Sequence, residues 1–200
     1  MANESRLAEL LDRLREAENA VSDEVERLFE EQKTRFHYNI ESGKVRFEEA
    51  VAELQRRYRV GSWQYLRRAK LSYILSAPVI YSMIIPLALL DLGMTLYQHI
   101  CFRVYDIPLV KRADYFVIDR HLLNYLNAIE KFNCIYCGYG NAVIAYAREI
   151  TARTEQFWCP IKHAKRARGS HHRTSEFFEY GDAEAWRDQL AQKRRDWGQD

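Results

Sequence analysis

Apolar positions recur at helical spacing through much of the chain, and their pattern divides it into segments. Over residues 4–40, Leu7, Leu11, Leu14, Val21, Val25 and Leu28 fall on alternating steps of four and three, with Glu18 as an interruption. Charged residues fill the other faces, so the spacing predicts an amphipathic helix of roughly three heptads. Ser42-Gly43 breaks it, and Phe47, Val51, Leu54 and Tyr58 repeat the spacing on a second predicted helix. Two stripes of this kind can bury each other in a helical hairpin or pair with a second copy of the chain.

The pattern then loses its polar face. The stretch LSYILSAPVIYSMIIPLALLDLGMTLYQHICF (71–102) carries no charge in its first twenty residues and only Asp91 before Arg103. A soluble core helix rarely runs this long while apolar on every side, so the segment is expected in or on a membrane. As one straight helix it would run ~48 Å, longer than the ~30 Å hydrocarbon core of a bilayer. Either about twenty residues span, or Pro86 turns the chain back as a re-entrant hairpin. Basic residues on both flanks favour the hairpin, because both ends then face the cytoplasm. Asp91 would be costly in the middle of a span, and His99 offers it a partner one face away.

Beyond residue 111 helical periodicity returns. Asp119 is expected to cap a helix carrying Leu122, Leu123, Leu126, Ile129 and Phe132, and His121 beside it is a spare ligand or proton-transfer group. Asn141–Gln156 reads as another helix, on which Glu149 and Arg153 form an i,i+4 pair of the ordinary surface kind. A short helix opens at Asp182 with Trp186, Leu190 and Trp197 on one side, more suited to docking on its own domain than to lying on a bilayer.

Charge sharpens the division. Residues 1–53 have a net charge of −6 and residues 54–200 a net of +8. No acid occurs between Gln55 and Leu90, where Arg56, Arg57, Arg67, Arg68 and Lys70 stand among Trp63, Tyr65 and Tyr73. A basic, aromatic collar before an apolar run suits a membrane interface. A second basic stretch includes Lys162, Lys165 and Arg166. Anionic headgroups are the expected partners of both; the chain lacks a stacking or groove-reading motif for nucleic acid. The chain opens with an acidic helical pattern, which predicts neither a cleavable signal peptide nor a lipid anchor.

The chemistry-bearing residues lie in FNCIYCGYGNAVIAYAREITARTEQFWCPIKHAKR (132–166). Cys134 and Cys137 form C-x2-C followed by Gly138, and Cys159 with His163 forms C-x3-H. Four thiolate and imidazole ligands in two pairs are the donor set of a closed Cys3His zinc site. The same donors hold iron or an iron–sulfur cluster, and the first pair alone could act as a redox dithiol. Cys101, inside the apolar run, reads as a small buried hydrophobe.

The motifs YCGYGN and AREITARTEQFWCPIKHA, with DLGMTLYQHICF and VIDRHLLNYLN, resemble those of an uncharacterised family of bacterial membrane-associated proteins. The resemblance covers roughly residues 90–166 and implies a bacterial inner-membrane protein without supplying an activity. The expected architecture is mostly α. It comprises an acidic helical hairpin or short coiled coil (1–60), a basic collar and membrane hairpin or span (61–110), a small Cys3His metal-binding domain facing the cytoplasm (111–175) and an amphipathic C-terminal helix (176–200). The expected function is a membrane-anchored scaffold or regulatory protein ordered by structural zinc, with a membrane redox or electron-transfer protein as the alternative. No phosphate loop, nucleophile elbow or dinucleotide fingerprint directs the reading to a particular enzyme.

Overall fold

The computed structural model describes residues 2–41, 44–165 and 167–197. It is mostly helical, and the chain separates into two compact units: the part up to Gly61 with Leu122–Asn127, and Ser62–His121 with the chain from Ala128 onward.

The first unit opens with α1 (Ala2–Phe36), a helix about 52 Å long by its 35 residues. Exposed i,i+3 and i,i+4 pairs such as Arg27 with Glu24 and Glu31 support it, each worth about 0.2–0.5 kcal/mol. Of the expected stripe, Val21, Val25 and Leu28 are exposed, while the side chains of Leu7, Leu11, Leu14 and Glu18 lie outside the described residues. The chain does not pass directly into a second helix. Residues β1 (Tyr38–Glu41) and β2 (Lys44–Phe47) pair antiparallel, with the rings of Tyr38 and Phe47 5.8 Å apart across the ladder. The alternation YNIE…KVRF around Ser42-Gly43 carries this strand signal, which the helical spacing of Phe47 obscured. α2 (Glu49–Arg57) follows and buries none of its residues, so the expected mutual burial of two helical stripes is replaced by a helix, a β-hairpin and a short helix.

The second unit is built on two long helical rods. α3 (Ser62–Arg68) leads into α4 (Leu71–Ser82) and α5 (Ile84–Tyr97). A π-turn at Gln98–Phe102 and a last turn, α6 (Arg103–Tyr105), complete one rod from Leu71 to Tyr105. The chain does not reverse at Pro86. That proline is the third residue of α5, in a first turn where a missing N–H is tolerated, and Met83 before it stays in the right-handed helical region (φ −65°, ψ −10°). The expected hairpin is therefore a single helix, long and apolar enough to cross a membrane.

The rod ends in a Schellman turn. Asp106 takes the left-handed conformation (φ 57°), and the Ile107 N–H bonds the Phe102 carbonyl at 2.8 Å. Phe102 and Ile107 enter one core with Val110, Tyr146 and Ile150. Pro108 then cannot resume the helix, and residues 106–121 run back along the rod, bringing Val110 to Gln98 and Arg112 to Asp91. Directly after Asp119 the chain makes only a single 3-10 turn, Arg120–Leu122, and the next α-helix, α7, starts at Ala128, after Asn127.

α7 (Ala128–Trp158) lies beside the rod and runs in the same direction. Tyr81 meets Asn133, Gln98 meets Tyr146 and Tyr97 meets Thr154, so both numberings rise together. The rods approach closely at Gly140, where an added Cβ would lie 3.3 Å from Leu87 Cδ1. α8 (Ala183–Lys193) opens on Asp182, whose carboxylate accepts the Ala185 N–H at 2.9 Å. Its end docks on α7: Gln156 donates to the Asp196 carbonyl at 2.5 Å and Arg194 to the Phe157 carbonyl at 2.8 Å.

Candidate membrane-facing site and the separated thiols

The outer face of the Leu71–Tyr105 rod is an apolar stripe. Ile85, Leu89, Leu92, Leu96, Ile100 and Val104 follow one another at three- or four-residue steps and are each 54–73 % exposed. Leu71, Leu75 and Val79 extend it toward the start of the rod and are as exposed. Six consecutive side chains of this kind along one side leave a contiguous apolar surface, which marks a protein or membrane contact.

Asp91, the rod's only acid before Arg103, faces away from this stripe. Arg112 on the returning segment grips it with both guanidinium nitrogens, the second at 2.8 Å, and Tyr139 of α7 donates its hydroxyl at 2.9 Å. The carboxylate holds the Arg112 proton still more firmly than usual, and burial followed by the Asp91 bond raises the Tyr139 phenol above its ordinary range. Arg112 also stacks on Phe116, 3.5 Å from the ring centroid. His99 is not the partner of Asp91: it is exposed, with Nδ1 2.7 Å from the Thr95 carbonyl on its own helix. Sequence reasoning missed Arg112 and Tyr139. The available signal was only that a lone acid in an apolar run needs a partner from elsewhere in the chain.

Two further polar clusters tie the same elements together. Gln98 is buried; its amide accepts the Val110 N–H at 3.0 Å and donates to the Tyr146 hydroxyl. Farther along α7, Glu149 Oε1 accepts from Arg153 Nε at 2.9 Å and from Arg173 Nε and Nη2 at 3.0 and 2.9 Å. All three side chains are at most 7 % exposed, so this is a core ion cluster and not the surface pair that the i,i+4 spacing implied. Arg153 also reaches the Pro108 carbonyl, and Arg173 reaches Gln156 and the Trp197 carbonyl.

The predicted metal ligands do not converge. Cys134 and Cys137 sit one turn apart near the start of α7, while Cys159 follows its last residue. The helix is continuous between them, and 22 residues at 1.5 Å each separate Cys137 from Cys159 by about 33 Å. Zinc holds its sulfurs at ~2.3 Å, so one ion cannot bridge that distance. Pro160 ends the helix and Ile161 bridges to Phe178, leaving His163 exposed in a loop. Burial, then Glu155, raises the Cys159 thiol pKa, the opposite of what ligation asks. Among the described residues no group of three or more His, Cys, Asp or Glu is placed to hold a metal ion. The residues thus do not fit the Cys3His zinc or iron site of one chain. His121, the spare ligand of the sequence reading, is half-buried on the returning segment; its Nδ1 has no hydrogen-bond partner. Each of Cys134→Ser, Cys137→Ser and Cys159→Ser is therefore expected to change unfolding free energy by no more than about 0.5 kcal/mol. Elemental analysis of the same variants should show no stepwise loss of zinc. A loss of stoichiometric metal together with a large drop in stability would restore the ligand set.

The basic groups expected to meet headgroups have varied surroundings. Arg67, Arg68 and Lys70 are exposed beside the start of the rod, with the Lys70 ammonium 5.8 Å from the Tyr73 ring centroid. Lys165 is exposed, and Lys162 pairs with Glu179 at 2.5 Å. In the first unit Arg57 is exposed and Arg56 pairs with Glu53 at 3.1 Å. Arg166 lies outside the described residues.

Comparison of the chain with family models, curated proteins and solved structures returns no match. The class that fold and site define is a mostly helical protein with, among the described residues, one helix long and apolar enough to cross a membrane.

Proposed function

We propose that this chain is a membrane-associated scaffold or regulatory protein that rests on an anionic bilayer face through the outer side of its Leu71–Tyr105 helix. The observation that carries the reading is the uninterrupted apolar stripe, with the helix's one acid turned inward onto Arg112 and Tyr139. Exposed Arg67, Arg68 and Lys70 at one end supply the attraction to anionic headgroups, about 1 kcal/mol each near the surface.

The helix lies along the bilayer and does not cross it. α7 and the returning segment accompany it on its inner side, and Ile118 and Arg120 pack within 4 Å of the Cβ position of Gly138. A crossing helix would carry Asp119 and Arg120 into the hydrocarbon, at about 2.5–3.5 kcal/mol for each charge near its centre. Lying in the interface with one face in lipid avoids that cost. Both termini then stay on one side, as the basic flanks of the apolar run expect, and the positive-inside tendency makes that side the cytoplasm of a bacterial inner membrane. The zinc and iron readings are not part of this proposal, because the ligands lie too far apart, and the dithiol alternative rests on the Cys134/Cys137 pair alone.

The test is retention and sidedness. The protein should remain with membranes through carbonate and high-salt washes, and tags at the two ends should be labelled from the same side. Release by either wash overturns membrane association through apolar burial. Labelling from opposite sides overturns the in-plane placement and establishes a span.

A further inference from the structure

Where the rod begins, α3 and α4 diverge from the start of α7 and leave an open groove of about 610 Å³. Tyr65, Tyr73, Ile74, Phe132 and Tyr136 form its walls, and Ala69 and Ala77 leave the space between them. Most of the lining is hydrocarbon, and two of its tyrosine hydroxyls are already bonded within the protein. The Tyr81 hydroxyl donates to Asn133 Oδ1 at 2.5 Å, and the Tyr136 hydroxyl donates to the Ile80 carbonyl at 2.5 Å. A ligand here therefore meets mainly apolar surface along its length.

We propose that this groove holds one acyl chain of an anionic phospholipid drawn from the bilayer, with the headgroup phosphate at Lys70. The inference rests on the membrane reading above and adds a defined lipid site to it. Three observations select this occupant. Ile74 and Ile80 line the groove on the same helix whose outer face carries Leu71, Leu75 and Val79, so the groove is continuous with the apolar surface that meets lipid. A cation stands beside it: the Lys70 ammonium lies 5.8 Å from the ring centroid of Tyr73, itself a groove residue, in a stretch of chain from Gln55 to Leu90 that carries no acid. The size suits a single chain. A methylene takes up about as much room as a water molecule, ~30 Å³, so the groove admits a chain of roughly 16–20 carbons. The Tyr73 ring beside Lys70 matches the preference of aromatic side chains for the level of the headgroups.

The test uses the full-length protein on phosphatidylcholine vesicles doped with phosphatidylglycerol that carries a diazirine at the end of one acyl chain. After illumination, adducts are mapped by peptide mass spectrometry. Adducts are expected on Tyr73, Phe132 and Tyr136 in the groove, and on Ile85 and Leu92 of the outer stripe. Filling the groove by Ala77→Trp should reduce the groove adducts at least about five-fold and leave the outer ones unchanged. Ala69→Leu serves the same purpose from the other wall if the first variant melts early. Lys70→Gln should reduce groove adducts about five-fold, the factor that one juxtamembrane cation supplies. Adducts on the outer stripe alone, or groove adducts indifferent to both filling variants, overturn the groove while leaving membrane association standing. Equal groove yields from a phosphatidylcholine probe of the same chain overturn the anionic headgroup. No adducts at either place overturn the membrane reading itself, and the groove with it.

Discussion

Replacing Glu149 with alanine is expected to cost about 3–5 kcal/mol of folding stability, the largest effect of any single substitution in the described chain. Its carboxylate oxygen receives three N–H bonds from Arg153 and Arg173, and all three side chains are almost fully out of water. Removing the acid leaves two guanidiniums facing each other in a low-dielectric interior, where a lost partner costs far more than a surface pair contributes. The loss would spread, because the same arginines hold the Pro108 carbonyl of the returning segment, Gln156 of α7 and the Trp197 carbonyl beyond α8. Glu149→Gln keeps the shape but not the charge and should also destabilise strongly. Glu155→Ala, on the same helix and bonded to His171 at 2.7 Å near the surface, should cost no more than about 1 kcal/mol. Equilibrium unfolding in urea, followed by far-ultraviolet circular dichroism in mild detergent, reads both. A Glu149→Ala shift no larger than that of Glu155→Ala would show that the cluster does not organise the core.

The second large effect concerns membrane binding. Leu89 and Leu92 lie next to each other on the outer stripe, 65 % and 58 % exposed, so neither supports the fold. Burying each in lipid contributes about 1.5–3 kcal/mol. The double variant Leu89→Glu/Leu92→Glu should lower vesicle partitioning at least a hundred-fold, equivalent to about 3 kcal/mol, with the melting temperature little changed. Asn141→Asp, exposed on the polar side of α7, should leave partitioning as it is. Flotation with vesicles containing anionic lipid measures both against the unaltered chain. Full flotation of the double glutamate variant would mean that the stripe does not contact the bilayer and that its exposure has another cause.

Local features of this chain were legible without any tertiary information. The uncharged run of residues 71–90, the basic collar before it and the helix opened by Asp182 all appear where composition and spacing place them. Helix periodicity, net charge and capping depend on neighbours a few residues away, so the sequence carries them directly. Even here a local signal was overridden once: Phe47 fits the helical spacing of Val51 and Leu54, yet it pairs with Tyr38 in a hairpin.

What the sequence could not carry was the destination of its buried charges. Asp91 needs a partner, but only the Schellman turn at Asp106 brings the chain back so that Arg112 arrives 21 residues later. Glu149 looks like one half of a surface pair until Arg173, 24 residues on, folds over it and closes the core. The thiols show the same limit from the other side. Cys134, Cys137, Cys159 and His163 have the spacing of two ligand pairs, and such pairs meet only if the chain between them turns back. Here α7 runs straight through that interval, its inner face held against the Leu71–Tyr105 rod by Tyr139, Tyr146 and Thr154, and carries the pairs about 33 Å apart. Spacing along the chain determined which residues are able to act together; the length over which packing keeps one helix unbroken decided which of them do.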